Sequence, residues 1–183
     1  MWQEKAALAV SFVVMLIMGA SYFVKQKSWY LALQNLGIVG LGVTYLFTGE
    51  IIAMVGMGIS LIRTLTYYGF ERKNIRVPVW LVVVFSALSI ASFFAVNAGD
   101  LQNFKFYDIL FLVVGVAYTV IFSIRSMRLV RFLMLGPIRG SIVYNLLARS
   151  TPFVVISYTF ELCASLAAIV KYELLQKEKK NEN

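Results

Sequence analysis

The chain has 183 residues, of which 60% are hydrophobic and 14% charged, whereas a soluble domain carries about a quarter charged residues. A water-facing exterior cannot be built from so few charges, and the formal charge of +8 is spread between apolar runs rather than clustered as a nucleic-acid footprint requires. With Cys163 the single cysteine and no histidine, the composition excludes an intramolecular disulfide, a Cys/His metal site and a Cys–His or Ser–His nucleophile.

Taken in order, the apolar segments predict seven transmembrane helices. The first, Ala6 to Val24, follows the charge-balanced start MWQEK and reads as a retained helix rather than a signal peptide. The second runs from Trp29 to Phe47 with Gln34, Asn35 and small residues at Gly37, Gly40 and Gly42, which let helices approach closely. The third, Ile51 to Gly69, contains Arg63 and ends in the polar stretch ERKNIR. Val77 to Val96 follows without an ionisable side chain; as a helix it is ~30 Å long, the thickness of a hydrocarbon core. Beyond the polar stretch Asn97–Asp108 come Ile109 to Ile124, then Leu129 to Ala148, the least apolar, with Arg131, Arg139, Asn145 and the run Gly136-Pro-Ile-Arg-Gly140. Proline removes a backbone hydrogen bond, so a bend is expected near 133–137, with Gly136 and Gly140 facing a neighbouring helix. Pro152 to Lys171 closes the series with Glu161, and 173–183 read as a solvated tail.

Charge supports the count. Alternate loops and the tail hold 12 of the 17 basic residues: Lys25, Lys27, Arg72, Lys73, Arg76, Arg125, Arg128, Arg131, Lys171, Lys177, Lys179 and Lys180. The opposite side has Lys5, Lys105 and Arg149, so the positive-inside rule puts the N-terminus outside and the C-terminus in the cytoplasm. Trp2, Trp29 and Trp80 fall at helix ends, as interfacial tryptophans do.

Three spans on each side of Val77–Val96 suggest a duplicated triplet. At an offset of 98 or 99, Lys27-Ser28 matches Arg125-Ser126, Leu31 matches Leu129, Leu36-Gly37 matches Leu135-Gly136 and Tyr45 matches Tyr144; farther on, at an offset of 101, Ser60-Leu61 falls opposite Glu161-Leu162. The expected fold is an all-α polytopic membrane protein of seven transmembrane helices: a first repeat at 1–76, a linker helix at 77–96, a second repeat at 97–172, parallel to the first, and a cytoplasmic tail at 173–183.

The segment SLIRTLTYYGFERKN, with its arginine late in the third helix, and the later Tyr144-Asn145 followed by a last helix running into Lys171, resemble the YgjV family of bacterial inner-membrane proteins. Its three-plus-one-plus-three plan is similar to that of SWEET sugar transporters and PnuC-type vitamin transporters. On this resemblance Arg63 and Asn145 match the family pattern, the acidic residue expected early in the last helix falls at Ser157 with Glu161 one turn on, and the Pro-Gln pair typical of SWEET relatives is missing.

The expected function is small-solute transport at a site near the membrane midplane between the repeats, in the bacterial inner membrane. Candidate solute-binding residues are Asn35, Ser60, Asn145, Ser157 and Glu161, with Gln34 and Tyr158 nearby; each neutral one has helix packing as its competing explanation. Arg63, Arg139 and Glu161 are the candidates for an ion pair or coupling group. Arg139 and Glu161 lie about ten residues into neighbouring helices and are expected to pair, whereas Arg63, ~9 Å from its helix end, can reach headgroups or face the bundle. The alternative is a non-transporting membrane subunit or scaffold. An enzyme is not expected, because the spans hold no acidic pair, histidine or metal-ligand spacing. No cofactor or metal is called for; the partners expected are the lipid bilayer, a sugar, nucleoside or vitamin-like solute and, as one option, further copies of the chain. Single cysteines introduced at 102 and 74 test the topology: an impermeant reagent outside the cell should label position 102 and spare 74, and the reverse labelling contradicts the assigned orientation.

Overall fold

The computed structural model describes residues 2–48, 51–97, 106–148 and 152–174. Within these residues the regular elements are all helical: α1 (Trp2–Ser21), α2 (Lys27–Thr48), α3 (Ile51–Arg72), α4 (Val79–Asn97), α5 (Phe106–Ser123), α6 (Met127–Leu147) and α7 (Pro152–Ile169), which continues into a π-helical turn, Val170–Leu174. Long apolar runs favour this outcome because a helix satisfies its backbone groups internally. By length and composition two described helices, Lys27–Phe47 and Pro152–Tyr172, are long and apolar enough to cross a membrane. The apolar stretches Leu8–Ser21, Val79–Ala95 and Ile109–Ser123 are shorter, and α3 and α6 are interrupted by arginines. The loop containing Lys105 and position 102, the connection containing Arg149, and the tail from 175 onward lie outside the described residues.

Three polar connections and the C-terminal end of α7 meet at one end of the bundle, and side chains there terminate the helices. The C-terminal carbonyls of α1 have no intrahelical donors. Arg131 supplies them: its Nε donates to Tyr22 O at 3.1 Å and its Nη2 to Val24 O at 2.9 Å, while the Tyr172 hydroxyl donates to Phe23 O at 2.9 Å. A buried cation at a helix C-terminus also complements the helix dipole. At the end of α3, Asn74 takes a left-handed conformation (φ 56°), and Ile75 N–H bonds back to Phe70 O and Asn74 N–H to Glu71 O. This double closure ends the helix at Arg72, six residues before Pro78, and Asn74 Oδ1 accepts a bond from Arg125 across the connection. Lys27 and Glu71 form an ion pair at 3.6 Å at the same basic end.

The helices pack in chain order. α1 lies on α2 and α2 on α3; α5 lies on α6 and α6 on α7. The two triplets meet along two seams, α1 against α7 and α3 against α5, with α4 packed on both α3 and α5. Apolar clusters fill each half of the interior. Tyr22, Tyr30, Tyr67, Phe85, Phe122 and Met134 pack together toward the basic end, and Val14, Met18, Leu41, Tyr45, Val154 and Tyr158 toward the other. Outward faces are rich in exposed apolar side chains, with Leu65, Val83, Val113 and Ile156 all at least half exposed and Trp29 and Trp80 near the basic end.

Glycines set the closest approaches. A Cβ at Gly40 would collide with Val14 of α1, and one at Gly140 would stand 2.5 Å from Val114 Cγ2 of α5. Gly136, expected to share that packing face, points into open space, so only Gly140 acts as a contact on α6. α6 continues as helix through the buried Pro137 to Leu147. Gly40→Val should therefore lower stability by about 1–3 kcal/mol through overpacking, whereas Gly136→Val should change it by less than about 0.5 kcal/mol, measured by thermal unfolding of detergent-purified protein.

Candidate functional site

A polar layer lies between the two apolar clusters. On α3, Arg63 is 3% exposed and points into the bundle. Its Nη1 donates to Thr119 Oγ1 at 2.7 Å and Gly115 O at 3.3 Å on α5, and its guanidinium lies over the Phe122 ring at 5.5 Å. Nε has no partner. The arginine does not reach out of the bundle, because α3 runs three residues beyond its expected end at Gly69 and leaves Arg63 nine residues, or ~13 Å, from Arg72.

On α7, Glu161 is 1% exposed. Its Oε1 accepts a 2.7 Å bond from the hydroxyl of Tyr22, just past the end of α1, and Oε2 is buried without a hydrogen-bond partner. The expected pairing with Arg139 does not form. Arg139 is exposed on the outer face of α6, one residue and so about 100° around the helix from the fully buried Ile138. Equal depth on neighbouring helices brings charges together only when both also share the inward face.

Three adjoining hollows surround this layer and share Ser60. One, about 70 Å³, lies between the triplets and is lined by Tyr45, Ser60, Tyr118, Ser141, Asn145 and Tyr158 among others. A second, about 50 Å³, reaches toward the basic end between Gln34, Ser60, Arg63, Tyr118, Phe122 and Tyr158. The third, about 60 Å³, opens between α3, α4 and α5 past Arg63, Ser89, Ser92 and Phe93. At ~10–15 Å³ per water, each has room for a few water molecules. The aromatic cluster of Tyr30, Tyr67, Phe85 and Phe122 closes the interior on the basic side.

Of the residues singled out from sequence, Ser60, Arg63, Asn145, Gln34 and Tyr158 come together at these hollows. Asn145 also donates to Ser141 O at 2.7 Å, and Gln34 to Ser21 Oγ at 3.0 Å. Glu161 lines none of the three hollows; it stands one helical turn from Tyr158 on α7, buried behind the tyrosines that do. Asn35 and Ser157 are not at the hollows; each bonds back to its own helix, to Leu31 O at 2.9 Å and Phe153 O at 2.9 Å. Arg139 is likewise outside. Sequence reading missed Tyr22, Thr119 and Tyr118.

Nothing in the sequence marked Tyr22 or Thr119 as the partner of a charge. In each seam an ionisable side chain bonds a hydroxyl of the facing triplet: Arg63 of α3 to Thr119 of α5, and Glu161 of α7 to Tyr22, just past the end of α1. Tyr22→Phe and Thr119→Val should each destabilise the protein by about 1–3 kcal/mol, because each leaves a buried charge without its hydroxyl. Thr66→Val is the control, since that hydroxyl bonds only the Ile62 carbonyl of its own turn, and a change within about 0.5 kcal/mol is expected in the same thermal unfolding assay.

Among curated proteins and solved structures, none matches this chain. Residues 5–176 match the family Imp-YgjV, described as bacterial inner membrane protein. With nearly the whole chain covered, the protein belongs to this family of bacterial inner membrane proteins.

Proposed function

We propose that the protein is a small-solute transporter with seven spans, its N-terminus outside and its basic end in the cytoplasm. Two parallel triplets, 1–76 and 97–172, flank the linker α4, a plan like that of SWEET and PnuC-type transporters. One observation carries the reading: a buried arginine, Arg63, lines a hollow between the triplets together with Gln34, Ser60 and Tyr158. Ionisable groups held inside a membrane bundle characteristically serve solute or ion passage. The aromatic cluster on the basic side fits a form open toward the other side. The chain carries no chemistry that this reading assigns to an enzyme.

Uptake of labelled sugars, nucleosides and vitamins into proteoliposomes tests it. Accumulation of one class is expected, lost in Ser60→Trp, which fills the shared wall of all three hollows while leaving the outer faces intact. Uptake by Ser60→Trp equal to that of the unaltered protein would overturn the site.

The second reading, a non-transporting subunit, draws on Arg139. This exposed arginine lies eight residues, or ~12 Å, from the end of α6, on an outward face with Leu133, Gly136 and Val143. A partner helix bearing an acid would satisfy it. Under that reading Arg139→Ala shifts the particle size in native electrophoresis; under the transporter reading the size is unchanged.

A further inference from the structure

The transport reading leaves the solute open, and Arg63 narrows it. On α3, Gly56, Ser60 and Arg63 follow at the i, i+4, i+7 spacing of one helix face, and that face lines all three hollows. Arg63 itself borders two of them, one toward Ser89, Ser92 and Phe93 of α4 and the other toward Gln34 and Tyr158. Among the described residues no other base and no acid lines any of the three.

An arginine keeps its proton in proteins, so a full positive charge borders both hollows. Among the described residues no acid lies within ion-pair distance of it. Its bonds to the protein use one corner of the guanidinium: Nη1 donates to Thr119 Oγ1 and Gly115 O, Phe122 lies against the group at 5.5 Å, and Nε is buried with no acceptor. A desolvated cation held only by neutral groups costs stability until an anion reaches it. Ser60, one turn before Arg63, adds a hydroxyl. Thr64 and Thr66 bond back to the Ser60 and Ile62 carbonyls, whereas the Ser60 hydroxyl has no such bond among the described residues and can donate into the hollows.

Size and polarity select among anions. Each hollow has room for a few waters, the room that an acetate-sized group needs. A single cation balances a single negative charge, so phosphate as a dianion would bury charge unpaired, and a neutral sugar would leave the arginine unpaired. On the α4 side the wall beyond Ser60 and Arg63 is mostly apolar, with Val55, Ile59, Phe93, Phe111 and Leu112.

We infer that the hollows take a small monocarboxylate, its carboxylate held by the guanidinium donors of Arg63 that the protein leaves unused and by the Ser60 hydroxyl, with its short apolar tail toward α4 against Ile59, Phe93 and Phe111. The planar guanidinium fork matches the two oxygens of a carboxylate, which chloride cannot reproduce. The inference rests on the hollows being a solute site.

The test uses purified full-length protein in a neutral detergent. Sodium acetate, propionate and butyrate are each compared with the corresponding amide, and with sodium chloride and phosphate at matched ionic strength, by thermal shift and calorimetry. Propionate or butyrate should bind best, and each amide should bind roughly tenfold more weakly than its acid, or worse. Arg63→Gln should erase the preference for acid over amide. Arg63→Lys keeps the charge without the fork, so it should retain the preference while binding several-fold more weakly. An arginine that only locks α3 to α5 would lower stability in both variants and give the unaltered protein no preference for acid over amide. If Arg63→Gln does not fold, the acid and amide series on the unaltered protein reads the same contact. Equal stabilisation by acid and amide, equal stabilisation by chloride and acid, or no binding of any acid would overturn the inference. Acid binding without uptake in proteoliposomes would overturn transport and leave the carboxylate site standing, whereas uptake of a neutral solute with every acid inert would do the opposite.

Discussion

Arg63 and Glu161 are buried in the bundle, where an ionisable group costs stability unless the protein hydrogen-bonds it. Each meets this with a hydroxyl from across a seam, and that choice ties the two triplets together. Weakening Tyr22 or Thr119 therefore loosens the contact between triplets and alters the environment of a buried ionisable group together.

Around that layer the interior is arranged asymmetrically along the bundle axis. Toward the basic end, large rings and Met134 pack together, and Arg131 and Tyr172 bind the end of α1. Toward the other end, Tyr45, Tyr144 and Asn145 line open volume. The hollows have room for a few waters, so under the transporter reading a solute of several heavy atoms enters only if side chains or helices move. The seam between α3 and α5 suits such movement, since a hollow bordered by Ser89, Ser92 and Phe93 of α4 already separates the helices beside it.

Much of this was legible in the sequence, and the failures have a common cause. Helix number and limits follow from apolar length and from the polar runs between segments, which report position along the chain. The arginine stop on α1 and the Asn74 turn are consistent with the loop positions expected at Lys25–Lys27 and ERKNIR. Rotation about each helix axis was harder to read. Val130, Met134, Ile138, Ser141 and Asn145 define the inner face of α6, while Leu129, Phe132, Leu133, Gly136, Arg139 and Val143 lie outside it. A depth argument put Arg139 beside Glu161, and the 100° between residues 138 and 139 separates them. Asn35 fails in the same way: beside Gln34, which reaches the hollow, it turns to its own backbone. Tyr22 was hidden because its backbone lies just past the end of α1 while its ring extends to a charge on α7.

The transporter reading requires that the hollows beside Arg63 be reached by water rather than sealed as a dry packed core. A single cysteine at Ser60, in protein whose own Cys163 has been replaced by alanine, measures this through its rate of reaction with a small, charged, membrane-impermeant thiosulfonate. Rapid labelling is expected at Ser60, which lines all three hollows, and negligible labelling of a cysteine at Ile62, which is 59% exposed on the outer side of the bundle. A cysteine at Ser60 as unreactive as one at Ile62 would show the core to be closed to water.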